Sequence, residues 1–302
     1  MTLEQLRIFV AVAERQHVTR AAEALHIAQS AASAAIAALE ARHSAKLFDR
    51  VGRGIELTEA GRLFLVEARA VLARAEAAEL VLAELGGMVR GTLSVQASQT
   101  IASYWLPRHL VAFRRAHPGI DIRLGIGNTA QAAAAVHAGA AELGFVEGAA
   151  DDPLLDSRKV AADRLVAVVA PDHPWADGVR RSLEELVETG DWVLREPGSG
   201  TRSAFEAALV ERAIQPSRLR VVLELPSNEA VRAAVEAGMG ATVISAAVAA
   251  PSLEAGLLYH LPLNLPERPF SVLRHRERHS SRAAEALLAL IADAGGLRRT
   301  GG

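Results

Sequence analysis

The chain has 302 residues, half of them hydrophobic, a formal charge of −2 at pH 7 and no cysteine. That length accommodates one to three domains with at least one large core, and the missing cysteine excludes disulfides, thiolate zinc sites and thiol redox sensing. No membrane span is expected, and the start, MTLEQLRIFVAVAERQ, lacks the basic region and apolar run of a secretory signal, so the chain reads as cytoplasmic and any nucleic-acid surface must be a local patch.

Residues 1–57 read as short amphipathic helices with tight turns. Leu3, Leu6, Val10 and Ala13 recur at three and four residues and predict one buried helical stripe. Thr19 is the expected N-cap of a short helix through Leu25. The turn His26-Ile27-Ala28 then leads into a third helix from about Gln29. Ala32, Ile36, Leu39 and His43 fall on its inner face, while Gln29, Ser30 and Ser33 lie near its start on another. Two helices, a short turn and polar residues opening the second describe a helix-turn-helix. Leu47–Thr58 reads as a two-stranded wing, with Gly52 and Gly54 allowing the turn and Arg50 and Arg53 near its tip.

The run from Thr19 to Ser33, then Leu39-Glu40, Leu47-Phe48-Asp49-Arg50 and Leu57-Thr58-Glu59-Ala60-Gly61, resembles the LysR-type transcriptional regulators, with these spaced blocks in register. His17 stands where the family usually has serine, Ser30 where proline is frequent, and Ser44 where glycine is usual. None of these changes removes a DNA-facing side chain. The resemblance implies double-stranded DNA as a partner, at an interrupted inverted repeat in a promoter, with Thr19, Gln29, Ser30, Ser33, Arg50 and Arg53 at the interface. Gln29 suits a bidentate contact to adenine, the serines suit bases or phosphates, and the arginines suit phosphate or the minor groove. Taken one at a time, the same residues are ordinary helix-start and surface chemistry.

Thr58 is the expected cap of one long helix to Leu85, with Glu59 favoured in its first turn by the helix dipole. Leu65, Leu72, Leu80 and Val81 are too many apolar groups for an exposed stalk, so a second copy is expected to cover them. In the family this is the linker helix of a homodimer, with tetramers implied by resemblance. Gly86-Gly87 is the expected hinge.

From Gly91 onward short apolar strands alternate with helices, the signature of α/β architecture. Strands are expected at 92–97, 120–126 and 142–146, with helices at 101–116 and 129–138. The pattern recurs with strands at 191–194, 219–225 and 241–245 and helices at 201–213 and 228–237. Two such units predict two lobes, crossed near Ala161–Asp163 and Pro266–Arg268. The fold class is thus an N-terminal all-α winged helix-turn-helix plus long linker helix, followed by a C-terminal α/β two-lobed domain resembling the family's periplasmic-binding-protein-like effector domain. Expected boundaries are 1–58, 59–89 and 90–302, the last split into lobe I (90–162 and 267–302) and lobe II (163–266).

Three strand-to-helix junctions are rich in small polar groups beside unpaired helix N–H donors: Ser98-Gln99-Thr100, Ser199-Gly200-Thr201 and Asn228 after Pro226-Ser227. Each alone reads as helix capping; together, at corresponding ends of two lobes, they make a site for a small anion. Glu147 ends a strand expected to open onto the same cleft, where a carboxylate repels a fully ionised ligand and suits one bearing a proton or an amine, or itself takes a proton. Residues 144–148, 195–202 and 225–230 resemble the sulfite-responsive and sulfur-assimilation branch, and 195–202 also carbon-fixation regulators. Hydrogen sulfite is the specific effector expected, with another small metabolite, a carboxylate or a phosphorylated compound, as the alternative. A cytoplasmic solute-binding protein is the reading from a different class. His275 and His279 stand four apart but lack the HExxH pattern, Gly198-Ser199-Gly200 lacks a P-loop lysine, and no acid, base or nucleophile set assembles. Neither enzyme activity, a metal nor a cofactor is expected.

Overall fold

The computed structural model describes residues 1–51, 54–85, 91–148 and 151–294 and, within them, side chains other than those of residues 77, 80, 81 and 83–85. The chain divides into two compact units, one carrying the elements up to residue 85 and one carrying those from residue 91 on.

In the N-terminal unit, α1 (Leu3–Arg15) opens on a capping box in which Thr2 accepts from the Gln5 N–H and Gln5 reaches back to the Thr2 N–H. Its buried face is Leu6, Phe9, Val12 and Ala13, with Ile8 and Ala11, whereas Leu3 is exposed and Val10 half-buried. The expected stripe was therefore rotated off Phe9, the ring that packs against Phe48 and Phe64 at 5.4 and 4.9 Å. Helix α2 (Val18–Ala24) is capped by His17, whose Nδ1 accepts from the Arg20 N–H at 3.4 Å, and not by Thr19, which lies inside the helix and is exposed. The imidazole thus takes the place of a serine hydroxyl.

After a turn with His26 at φ 55°, α3 (Gln29–His43) buries Ala32, Ile36 and Leu39. His43, expected on that face, is exposed. The helix ends on Ser44 at φ 49°, a left-handed position that costs a non-glycine residue about 1–2 kcal/mol. Strands β1 (Phe48–Val51) and β2 (Gly54–Leu57) pair antiparallel as the wing; Gly52 and Arg53 fall outside the described residues. Glu40 anchors the wing, because its Oε1 accepts from the N–H groups of Leu47 and Phe48 at 2.7 and 3.2 Å.

Helix α4 (Glu59–Leu85) starts on Thr58, whose Oγ1 accepts from the Gly61 N–H and donates to the Lys46 carbonyl. Gly61 is required by space: a Cβ there would sit 2.1 Å from the Leu47 oxygen. Leu65 and Leu72 are half-buried against this unit's own core, contrary to expectation. The exposed apolar groups of α4 are instead Leu63, Val66, Val71 and Leu82. Leu80, Val81 and the Gly86-Gly87 hinge lie outside what is described.

The C-terminal unit runs β3 (Gly91–Ser98), a π-helical turn (Ile101–Trp105) continuing into α5 (Leu106–Ala116), β4 (Ile120–Gly127), α6 (Thr129–Ala138), β5 (Leu143–Glu147) and β6 (Leu155–Val169). It continues through α7 (Leu183–Thr189), β7 (Asp191–Arg195), α8 (Gly200–Val210), β8 (Arg220–Leu225), α9 (Asn228–Glu236) and β9 (Ala241–Ser245). α10 (Ala246–Glu254), β10 (Tyr259–Leu261), β11 (Glu267–His275) and α11 (Arg282–Ala294) complete it. The strands join in the order β4-β3-β5-β11-β6-β9-β7-β8, with β10 also on β6. Along β6 the partner changes: residues up to Arg164 pair with β11, and Leu165–Val169 pair with β9. That handover, with the start of β11, joins two lobes. One is cored by Leu93, Trp105, Phe113, Phe145 and Leu287, the other by Trp175, Trp192, Phe205 and Leu209.

The partner change lies between Arg164 and Leu165, within β6, which is a single 15-residue strand. Its first ten residues carry Asp156, Arg158, Lys159, Asp163 and Arg164, which hid its strand pattern. Helices α7 and α10 and strand β10 were likewise not anticipated. Among the described residues no helix is long and apolar enough to cross a membrane.

Candidate functional site

The outer face of α3 is polar and open. Gln29 and Ser30 are exposed, Ser33 is half-buried, and Gln29 Nε2 donates to Ser33 Oγ at 2.8 Å. That bond uses one of two amide hydrogens and fixes the amide plane, leaving the other hydrogen and Oε1 for a base edge. Ala28 precedes the helix with no side-chain cap, so its first N–H groups have no capping side chain. Arg42 and Arg50 are exposed, and among the described residues neither forms an ion pair, whereas Lys46 is held by Asp49 at 2.7 Å. Thr19 is exposed on α2.

In the C-terminal unit the strand ends and helix starts named from the sequence meet across the lobe boundary, in two groups. Asn228 is fully buried at the start of α9. Its N–H donates to Gln99 Oε1 at 2.7 Å and its Nδ2 to Thr100 Oγ1 at 3.0 Å, both from the other lobe. Its Oδ1 accepts from Arg195 Nη1 at 2.6 Å. Arg195 forks onto its own neighbour, with Nε to Glu196 Oε2 at 2.8 Å and Nη2 to Oε1 at 2.9 Å. Glu196 Oε1 in turn accepts from Asn128 Nδ2 at 3.1 Å, back in the first lobe. Burial pushes the Glu196 carboxyl up, but the hydrogen bonds from Arg195 and Asn128 outweigh it and hold its pKa below the ordinary value.

The second group surrounds Arg268, which is 4% exposed. Its Nε donates to Asp163 Oδ2 at 2.8 Å, its Nη1 to Thr201 Oγ1 at 3.0 Å, and its Nη2 lies 3.8 Å from Glu147 Oε1. Thr129 Oγ1 donates to Glu147 Oε2 at 3.1 Å, and Ser245 Oγ to Asp163 Oδ1 at 2.8 Å. Glu147, expected to face the cleft, shares the Arg268 guanidinium with Asp163, which holds it more closely at 2.7 Å, so the three groups together keep a net negative charge. A Cβ on Gly200 would meet Thr129 Oγ1 at 2.5 Å and the Glu147 oxygen at 2.8 Å, so the glycine lets α8 close on the other lobe.

The capping alternative is answered residue by residue. Ser227, and not Asn228, caps α9 through the Ala230 N–H; Ser199 precedes α8 and Thr100 precedes the π turn, neither with a side-chain cap bond. Ser98 is buried with its Oγ unpartnered among the described residues.

Comparison with known proteins decides the family. Residues 3–62 match the bacterial regulatory helix-turn-helix protein, lysR family, and residues 86–296 match the LysR substrate binding domain. The chain belongs to the LysR family of transcriptional regulators. It is 34% identical over 290 residues to the uncharacterized HTH-type transcriptional regulator YeiE of Escherichia coli K12, covering 95% of this chain and 96% of that one. The structure resembles CbnR, a LysR family transcriptional regulator, with TM-score 0.71 at 24% identity over 98% and 99% of the two chains. It also resembles the Synechocystis CcmR regulatory domain in complex with 2-PG, with TM-score 0.62 at 25% identity over 70% of this chain and 99% of that one. This LysR regulator therefore pairs a DNA-binding winged helix-turn-helix with a two-lobed, periplasmic-binding-protein-like domain.

Sequence reasoning missed Asn128, Asp163, Arg195, Glu196 and Arg268. Asn128 was findable, since Asn128 and Gln131 form a reciprocal box at the start of α6, each side chain accepting from the other's N–H at 2.9 Å. The charged residues gave no such signal, because their pairing is set by strand register: Arg268 stands directly opposite Asp163. Among the described residues no group of three ligands that could hold a metal is found.

Proposed function

We propose that this LysR regulator binds an interrupted inverted repeat in a promoter as a cytoplasmic homodimer, paired through α4 and assembling further to a tetramer. In this reading Thr19, Gln29, Ser30, Ser33, Arg50 and Arg53 face DNA. A small anionic metabolite, taken between the lobes, shifts the arrangement of the DNA-binding heads by favouring one arrangement over another. The working domain limits are 1–58, 59–89 and 90–302, with lobe I as 90–162 and 267–302 and lobe II as 163–266. The exposed Leu63, Val66, Val71 and Leu82 on α4 support a second copy there.

The observation that carries the sensing half is the buried Ser98 Oγ at the end of β3, which has no hydrogen-bond partner among the described residues. A buried hydroxyl is rarely left so in a folded protein, and a ligand oxygen would satisfy it. Ser98, Gln99, Thr100, Glu147, Ser199, Gly200, Thr201 and Asn228 are the proposed lining. Hydrogen sulfite is the specific candidate. A carboxylate or phosphorylated compound is the second reading, favoured by the 2-PG complex of the related CcmR domain.

Thermal unfolding of the full chain against sulfite, sulfate, phosphate and small carboxylates tests this. A ligand at a hundred times its Kd adds about 2.7 kcal/mol. A shift with sulfite alone, lost on Glu147→Ala, selects the first reading; a shift with carboxylates or phosphorylated acids selects the second; no shift with any of them removes the anion. On DNA, Gln29→Ala should relax base preference while leaving the salt slope intact, whereas equal loss on every sequence would remove its base-reading role.

A further inference from the structure

Two buried arginines lie at the lobe boundary, and they differ in how firmly their carboxylates are held. Arg268 sits between Glu147 on β5 and Asp163 on β6, both on central strands. Both carboxylates are also tied by hydroxyls, from Thr129 and Ser245. Neither can leave without disturbing the sheet. Arg195 is as buried, at 4% exposed, but its carboxylate comes from the next residue in the chain. Glu196 lies past the end of β7, its side chain is 23% exposed, and its remaining side-chain bond is to Asn128 on the opposite lobe. A rotation of the Glu196 side chain alone would free the guanidinium fork.

A buried guanidinium must keep an anionic partner, because removing one member of such a pair leaves an uncompensated charge. The fork matches any anion offering two oxygens. Asn228 already links this guanidinium to Gln99 and Thr100, so an anion arriving at Arg195 would meet groups of both lobes.

We infer that Arg195 is the charge partner of the effector and that Glu196 is a tethered stand-in, which a carboxylate or oxyanion must displace to bind. This rests on the anion-sensing reading and adds to it a competitor built into the chain. Displacing Glu196 from Arg195 also takes it from Asn128, so exchange of the anion alters the contact between lobes. The depressed pKa of Glu196 agrees with a carboxylate that stays ionised until displaced.

The test compares full-length protein with Glu196→Gln by isothermal titration calorimetry in chloride-poor buffer at neutral pH. The probes are sulfite, phosphate and acetate, with glycerol as the uncharged control. Glutamine keeps the shape and the acceptor for Asn128 but gives up the charge on Arg195. Removing a competitor that occupies the site most of the time raises apparent affinity in proportion to the fraction released, so roughly a tenfold or larger gain is expected for at least one anion and none for glycerol. A Glu196 that serves structure alone would lower the melting temperature and leave anion affinity unchanged or weaker. If the wild type binds an anion and the variant binds it no more tightly, the stand-in role is overturned while anion sensing survives. If no anion binds either protein, both fall.

Discussion

Replacing Asn228 by alanine removes the side chain that links Arg195 of one lobe to Thr100 of the other. Asn228 is fully buried, so water does not replace the lost bonds. The 2.6 Å bond from Arg195 is charge-assisted and worth about 1.5–3 kcal/mol; the 3.0 Å bond to Thr100 is neutral and worth about 0.5–1.5 kcal/mol. Loss of both destabilises the C-terminal unit by about 2–4.5 kcal/mol. For a domain of this size each kcal/mol moves the midpoint about 2–4 °C, so Asn228→Ala should lower it by about 4–18 °C. Asn228→Asp makes the argument specific. An aspartate still accepts from Arg195, accepts the Thr100 hydroxyl proton in place of donating to it, and is favoured by the dipole at the start of α9. Differential scanning calorimetry of both full-length variants at pH 7.5 reads the result, with Asn228→Asp losing less than half as much as Asn228→Ala. A midpoint for Asn228→Ala within 2 °C of wild type, or equal losses for the two variants, would refute the bridging role.

Arg268→Met should cost about 3–5 kcal/mol at neutral pH, because Glu147 and Asp163 are left as unpaired buried carboxylates. Urea unfolding at neutral pH that puts the variant within about 1 kcal/mol of wild type would contradict it. His109, His173, His260 and His275 are all pushed below the ordinary imidazole pKa of 6.5, chiefly by burial. The unfolded chain therefore binds more protons, and stability present above pH 6.5 is lost as pH falls from there through the folded values. The midpoint should drop between pH 7.5 and 5.5, with a shallower slope in His109→Phe; a flat profile would show that burial does not hold these rings neutral.

What the sequence revealed followed the reach of local rules. Periodicity and turn residues located α6 and β9 to the residue, and most other strands of the C-terminal unit within one or two residues. The wing strands were visible because Gly52 and Gly54 flag a turn. Thr19 was misread as a cap because hydroxyls are the usual N-cap groups and an imidazole rarely takes that place. The stripe on α1 was misplaced because a helix packed under a wing and against α4 buries more than one face, and Phe9 draws its neighbours from both. At the lobe boundary the sequence displayed which small polar residues end strands, and the structure does bring Gln99, Thr100 and Asn228 together. It gave no sign of the arginines between them. Charge pairing across strands depends on register, and register is decided by residues more than a hundred positions apart, as with Asp163 and Arg268.

The position of β11 has a consequence for how the chain comes off the ribosome. It lies between β5 and β6 in the sheet of the first lobe, yet it is made after every strand of the second. Until residues 267–275 emerge, β5 presents an unpaired edge whose residues are all buried in the finished fold, LGFVE. Unpaired apolar edges invite the wrong partner. The second lobe, from the far half of β6 through β10, is contiguous in the chain and can settle first. The lobe begun earlier is thus the one finished later, and its vulnerable interval is the time taken to translate the other.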